Sequence, residues 1–349
     1  MAEIVPSGQA GGTSSQADHA AVRQADNPWT ILRLDGWNVL KATWNDSGAN
    51  NLSLIAAGTA FWGFAAIAPL LAATVLTYGL VATPATLSEN IKDLFGVLPR
   101  DAAALIADQL AGVVKTSGEK KGWGLVLALV LAFYGGTQGA SAVVTALNVA
   151  YAEKETRGFV RLYLLAFAIT GSAVLLGLAV AASTAVTAFI DSLLPGAPAS
   201  VLAAIRFASY AVLGVMAVTA AAFLYRFGPD RTHAKWVWLT PGSLCATILW
   251  LAVTGAFGFY VSNFGNYGAT YGSLSAVVVL LSWLWLSTYV FLLGAELNSQ
   301  LERRTAKDTT VGAPAPMGER GAAVADMAGS VLPPPDVRAC LSEPLQKAS

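Results

Sequence analysis

Six stretches of this chain, residues 53–80, 123–151, 160–190, 201–227, 236–262 and 273–298, are apolar and nearly free of charge. Each exceeds the roughly 20 residues that a helix needs to cross a bilayer core. In hydrocarbon a lone segment satisfies its backbone groups only as a helix, so the pattern predicts an all-α, polytopic transmembrane bundle of six spans. A soluble bundle would need a charged, solvated face along each helix. Those charges are missing: 12% of the residues are charged, against about 25% in a soluble domain.

Composition divides the rest. Residues 1–28, rich in Ala, Gly, Ser and Gln, lack the apolar core of a signal peptide and are expected to be a disordered cytoplasmic head. Residues 306–349, with Pro333-Pro334-Pro335 and no periodicity, are expected to be a disordered cytoplasmic tail, leaving 29–305 as the membrane domain. The two cysteines, Cys245 in a span and Cys340 in the tail, are too few for a disulfide framework and read as free thiols. Lys+Arg and Asp+Glu balance at 21 each, so no basic field draws the chain to nucleic acid.

Orientation follows from basic residues in short connections, which favour the cytoplasm. Arg33 and Lys41 precede the first span, Lys154, Arg157 and Arg161 follow the second, Arg226, Arg231 and Lys235 follow the fourth, and Arg303, Arg304 and Lys307 follow the sixth. With six spans all share one side, which puts both termini in the cytoplasm. The long connection after the first span carries Leu87, Ile91, Leu94, Phe95 and Leu98, then Leu105, Ile106, Leu110 and Val113, at helical spacing on either side of Pro99. It predicts an extracytoplasmic amphipathic helix pair over 85–117, lying on the membrane or capping the bundle. Residues 29–44 read as an interfacial helix anchored by tryptophans.

Ionisable groups in a membrane are costly and often functional. Here they are Arg206, Arg226 and Glu296, all near span ends where snorkelling lowers the cost. Glu296, beside Asn298, is the strongest candidate for substrate contact, with a structural role as the alternative. In the second span Gln138, Ser141, Thr145 and Asn148 lie among Gly135, Gly136 and Gly139. Small and polar residues at this spacing make either a close interhelical seam or a polar cavity lining. Pro69 in the first span and Pro241-Gly242 in the fifth predict kinks or broken turns. No catalytic constellation emerges: His19 and His233 are isolated, no metal-ligand spacing occurs, no phosphate-binding loop is present, and no cofactor is implied.

Several motifs together resemble one family. They are Phe61–Pro69 with an Ala-Pro before a Leu-rich run, Asn148–Tyr151, Leu224–Arg226 with Pro229, and Trp238–Trp250 (WLTPGSLCATILW). Tyr260, Tyr271-Gly272-Ser273 and the LGAELN run Leu293–Asn298 complete the set. The chain resembles the YihY/BrkB membrane proteins, some of which have carried the label ribonuclease BN. Where relatives often have Ser before the Pro of the first span, this chain has Ala68.

The resemblance implies a multi-pass protein of the bacterial inner membrane. It also implies links to envelope integrity, serum resistance and movement of lipid or lipopolysaccharide precursors. Two functions stay open. One is a mover of a lipid, envelope precursor or small solute, with Gln138, Asn148, Arg226 and Glu296 meeting a polar head group. The other is a non-transporting envelope scaffold that recruits envelope proteins. Membrane lipids are partners of either, and a homo-oligomer is compatible with both. A ribonuclease is not expected, because general acid/base or two-metal chemistry needs converging groups that this sequence lacks.

Overall fold

The structure is a computed structural model, which describes residues 20–79, 121–169, 171–172, 198–264 and 274–327. The amphipathic pair expected over 85–117, most of the third span, the 265–272 turn and the side chains of Pro69 and Arg206 lie outside the described residues.

The described residues are helical, with no strand beyond a single antiparallel bridge between Ala234 and Thr310. In chain order the helices are α1 (Pro28–Ala49), α2 (Leu52–Gly79), α3 (Lys121–Ala150), α4 (Phe159–Ile169), α5 (Ala199–Phe227), α6 (Trp236–Phe264), α7 (Ser275–Glu302) and the short α8 (Ala323–Asp326). Among them Phe207–Phe227, Trp236–Asn263 and Ser275–Glu302 are long and apolar enough to cross a membrane. Shorter apolar stretches are Leu52–Ile67 and Phe159–Ile169. α2 is helical through Pro69.

Local chemistry sets the start of α1. The Asn27 side chain accepts the Trp29 N–H at 3.0 Å, and Pro28 occupies the first turn, where its missing N–H costs nothing. A non-helical Asp35 bends α1. The buried face of the bent helix comprises Pro28, Ile31, Val39, Thr43 and Ser47. Trp37, Leu40 and Trp44 lie on the exposed side, with Lys41 5.3 Å from the Trp37 ring centre. Asn51, at φ 51°, supplies the left-handed residue that turns the chain from α1 into α2, a conformation Asn tolerates better than most side chains.

α7 is the hub, packing against α1, α2, α3 and α6, while α2 pairs with α3 and α5 with α6. Burial is graded along the helices. One buried cluster joins Leu52 and Ala56 of α2 with Leu147 and Ala150 of α3, Ala221 and Tyr225 of α5, Leu239 and Ala246 of α6, and Leu292 and Ala295 of α7. These residues come from one end of each helix. Toward the other end the same helices expose Leu127, Val130 and Leu131 (α3), Phe207, Val212 and Val215 (α5), and Leu251, Phe259 and Tyr260 (α6).

The flanks depart from expectation. Residues 20–28 and 306–327, expected to be disordered, are folded against this packed end. Val22 and Ala25 are buried with Ile31, Val39, Trp238, Leu297 and Leu301. The Thr305 hydroxyl donates to the Ala25 carbonyl at 2.7 Å, and the Ala306 N–H donates to the Arg23 carbonyl at 2.8 Å. The two flanks are therefore held together by one backbone bond and one side-chain bond to backbone, a source of order that hydrophobic periodicity does not announce.

Candidate functional site

The packed end is also the polar end. α6 approaches α7 there at two glycines. A Cβ at Gly294 would stand 2.6 Å from the Gly242 carbonyl and 2.6 Å from the Tyr225 hydroxyl, so only glycine permits the approach. Pro241, inside α6, lacks the N–H of a regular helical bond. Asn298 of α7 fills the disturbed turn: its Oδ1 accepts the Gly242 N–H at 2.7 Å and its Nδ2 donates to the Leu239 carbonyl at 3.2 Å.

Glu296, two residues earlier on α7, is fully buried and turns to the α1–α2 junction. It accepts from Asn50 Nδ2 at 3.1 Å and from Gln300 Nε2 at 3.1 Å. Gln300 also donates to Asp46 at 2.7 Å, and Asp46 pairs with Arg303 at 3.1 Å. Arg304 pairs with Asp35 at the bend of α1. α1 is thus fastened to the end of α7 along its length.

Asn148, at the end of α3, donates to Glu155 at 2.8 Å and accepts the Asp230 N–H at 2.8 Å. The Arg157 guanidinium grips Glu155 with two 2.7 Å bonds and donates to the Gly228 carbonyl at 2.8 Å, a cation satisfying the open carbonyls at the end of α5. Asp230 receives both the Thr156 N–H and hydroxyl at 2.6 Å. The Arg157 hydrogen bonds hold the Glu155 carboxyl below its ordinary range, against the opposing effect of burial. Arg226 donates to the Ala234 carbonyl and stacks 4.5 Å over Trp236, closing the α5–α6 turn.

At the centre Arg231 and Glu302 form an ion pair at 2.7 Å, with side-chain exposures of 2% and 0%. The Thr309 hydroxyl adds a 2.8 Å bond to the same Glu302 oxygen, and the Arg231 guanidinium lies 5.0 Å over the Tyr151 ring. Beside them, burial pushes the Glu153 carboxyl up to about 7, although the Ala323 N–H bonded to it at 2.8 Å favours its charge. A pair this buried offsets its desolvation cost only through good geometry and added hydrogen bonds. Thr309 provides one such bond.

Asn148, Arg226, Glu296 and Asn298 each bind a different protein partner. Gln138 is half-buried on α3 beside Gly139, which faces Trp62–Gly63 of α2; a Cβ at Gly135 would stand 3.0 Å from Ala66 Cα. This stretch is a close seam between α2 and α3. Sequence reasoning missed Glu153, Glu155, Asp230 and Glu302 because it weighed only the basic members of these connections. Their placement within otherwise basic connections was the available signal. An open groove lined by Thr156, Arg157, Phe159, Val160, Arg161 and Asp230 lies at the same end. Among the described residues no group of three or more His, Cys, Asp or Glu side chains could hold a metal ion.

Comparison with known proteins places this architecture. The chain is 30% identical over 232 residues to the ribonuclease-like protein YfkH of Bacillus subtilis, a match covering 64% of this chain and 83% of that protein. It is 27% identical over 276 residues to a UPF0761 membrane protein of Rhodospirillum centenum, covering 77% of this chain and 58% of the relative. A shorter match of 61 residues, 49% identical, links it to a UPF0761 membrane protein of Xanthomonas axonopodis pv. citri, covering 18% of this chain and 14% of that one. No solved structure matches. The model of the family described as virulence factor BrkB matches residues 43–317, which include the polar residues from Asp46 to Thr309. This chain is a membrane protein of the BrkB virulence-factor family.

Proposed function

We propose that this protein crosses the bacterial inner membrane six times with both termini in the cytoplasm, and that it moves a lipid, an envelope precursor or a small solute. Parity supports the six crossings. The start of α2, the ends of α3, α5 and α7 and the start of α6 all lie at the packed polar end, which agrees with an even number of crossings between the end of α3 and the end of α5. The basic residues of three separate connections meet at that end, which the positive-inside rule assigns to the cytoplasm.

The observation that carries the transport reading is the graded burial. Ion pairs and hydrogen bonds close the cytoplasmic end, while the opposite halves of α3, α5 and α6 keep large apolar side chains uncovered. A mover that alternates access needs one end closed by interactions that can be exchanged. Arg231–Glu302 and the Arg157 bond to the Gly228 carbonyl are then inner-gate contacts, and Asn148, Arg226 and Glu296 set the gate's geometry. α1 is an in-plane helix, with Trp37 and Trp44 at headgroup depth and Lys41 toward lipid phosphate.

The test is reconstitution into vesicles of phosphatidylethanolamine and phosphatidylglycerol containing a fluorescent phospholipid, with a surface quencher reporting which leaflet holds the label. Label crossing faster than in protein-free vesicles, and altered several-fold by Arg231→Met, supports the proposal. No movement of labelled phospholipid, polyprenyl-linked sugar or small solute would overturn it. The scaffold reading draws on the folded flanks, which present an ordered cytoplasmic surface. Its signature is stoichiometric recovery of an envelope protein together with inert vesicles.

A further inference from the structure

Residues 306–327 reach each of the three elements that close the polar end. At the end of α3, the Ala323 N–H donates to Glu153 at 2.8 Å. Along the α5–α6 connection, the Thr232 N–H donates to the Gly321 carbonyl at 2.8 Å, the Lys235 N–H to the Thr309 carbonyl at 2.8 Å, and the Val311 N–H to the His233 carbonyl at 2.9 Å. At the end of α7, the Thr309 hydroxyl donates to Glu302 at 2.8 Å. Val324 is fully buried in the same cluster as Leu147, Ala150 and Tyr225.

The segment is shaped for this. The buried Arg320 guanidinium donates to four carbonyls, those of Ala306 (2.7 Å), Ala325 (2.8 Å), Ala315 (3.2 Å) and Lys307 (3.3 Å). One side chain thereby folds residues 306–325 into a hook. Gly321, at φ +64°, makes the reversal that presents its carbonyl to Thr232. The family match ends at residue 317, so the part of the hook that reaches Glu153 lies beyond it.

We propose that residues 306–327 are a latch that holds the cytoplasmic end of the bundle closed, and that this end opens only after the hook has left Glu153, Thr232 and the Val324 pocket. Separating the ends of α3, α5 and α7 would otherwise stretch bonds that the segment makes to all three. The inference rests on the gate reading above, and its test needs no transported substrate.

The experiment uses the full chain in lipid nanodiscs with Cys245 and Cys340 replaced by Ala. Val324→Cys reports release of the hook, and Ala150→Cys reports opening of the end beneath it; both positions are fully buried. Two variants release the hook. Ala323→Pro removes the N–H that Glu153 accepts, at a first-turn position that tolerates proline. Arg320→Met removes the guanidinium. With a membrane-impermeant maleimide, both reporters should react at least about tenfold faster in either variant, a factor equivalent to about 1.4 kcal/mol. Gel filtration and an unchanged far-UV spectrum exclude general unfolding, and Thr309→Val, which loses a single hydroxyl, is the milder variant if either is misfolded.

Fast reaction at 324 with 150 still protected would overturn the latch, because the end stays shut without it. Unchanged reaction at both positions would overturn it too, because the bonds named would not be holding the hook. An opened end in vesicles that move nothing would leave the latch standing and remove the transport reading alone.

Discussion

Asn298 of α7 accepts the Gly242 N–H of α6 at 2.7 Å and returns a 3.2 Å bond to the Leu239 carbonyl. One carboxamide thus bonds backbone groups on both sides of Pro241, while the facing Gly242 and Gly294 let the two helices come close enough for it to reach. Side chain, proline and glycine pair form one unit, and each is explained by the other two.

Removing that carboxamide strands a buried N–H and a buried carbonyl. Asn298→Leu should lower stability by about 2–4 kcal/mol, from two lost bonds and the desolvated groups left behind. Thermal unfolding in detergent measures it. Asn298→Asp, which keeps an acceptor for Gly242 but loses the donor to Leu239, should still be less stable than wild type.

Gly294→Ala and Gly255→Ala make a controlled pair. Ala at 294 would press on the Gly242 carbonyl, the Tyr225 hydroxyl and the Ala246 methyl, whereas nothing lies within 4 Å of a Cβ at 255. The first should cost about 1–3 kcal/mol through overpacking. The second should be neutral or slightly stabilising, since Ala is the better helix former. Equal melting temperatures would contradict the close approach of α6 and α7.

Arg231 and Glu302 should behave as a coupled pair. Arg231→Met or Glu302→Gln alone leaves a buried, imperfectly partnered group, at a cost of about 3–5 kcal/mol for removing one charge of a buried pair. The double variant Arg231→Met/Glu302→Leu should recover much of that loss. A double-mutant cycle read by thermal unfolding checks it, and additive losses would mean the two side chains act independently.

The docked hook should loosen as pH rises. Burial, with the nearby Glu302 and Asp230 carboxylates, pushes Glu153 up to about 7, while the Ala323 N–H and Arg231 act in the other direction. A carboxyl raised on docking stabilises the docked form fully below its ordinary range, and that contribution is lost as pH climbs through the raised value. Hydrogen-exchange protection over 306–327, normalised for intrinsic rate, should therefore fall between about pH 5 and 8. In Glu153→Gln the fall over that window should vanish.

Much of the membrane architecture was legible because composition alone carries it. A chain with runs such as 236–262 and 273–298 has no soluble helical solution, and Trp37 and Trp44 mark the exposed side of α1. Glu296 and Asn298 stood out as polar residues in an apolar run. Their partners did not, because Asn298 meets Gly242 and Glu296 meets Asn50 only after distant helices have packed. The hook was the least legible element: its Pro-, Gly- and Ala-rich sequence has no hydrophobic period, and its order comes from backbone bonds and from Arg320 gathering four carbonyls.

The sequence by itself therefore determined that this chain is helical and built for a membrane, since the cost of burying unsatisfied backbone in lipid admits few alternatives. It also marked which end of each span carries the basic residues. Tertiary structure alone decided what those residues do. Arg231 finds Glu302, Arg157 finds the open end of α5, and residues 306–327 fold over both. Such pairings depend on where helices converge, and a buried charge is stabilised only by the particular group that packing brings within reach.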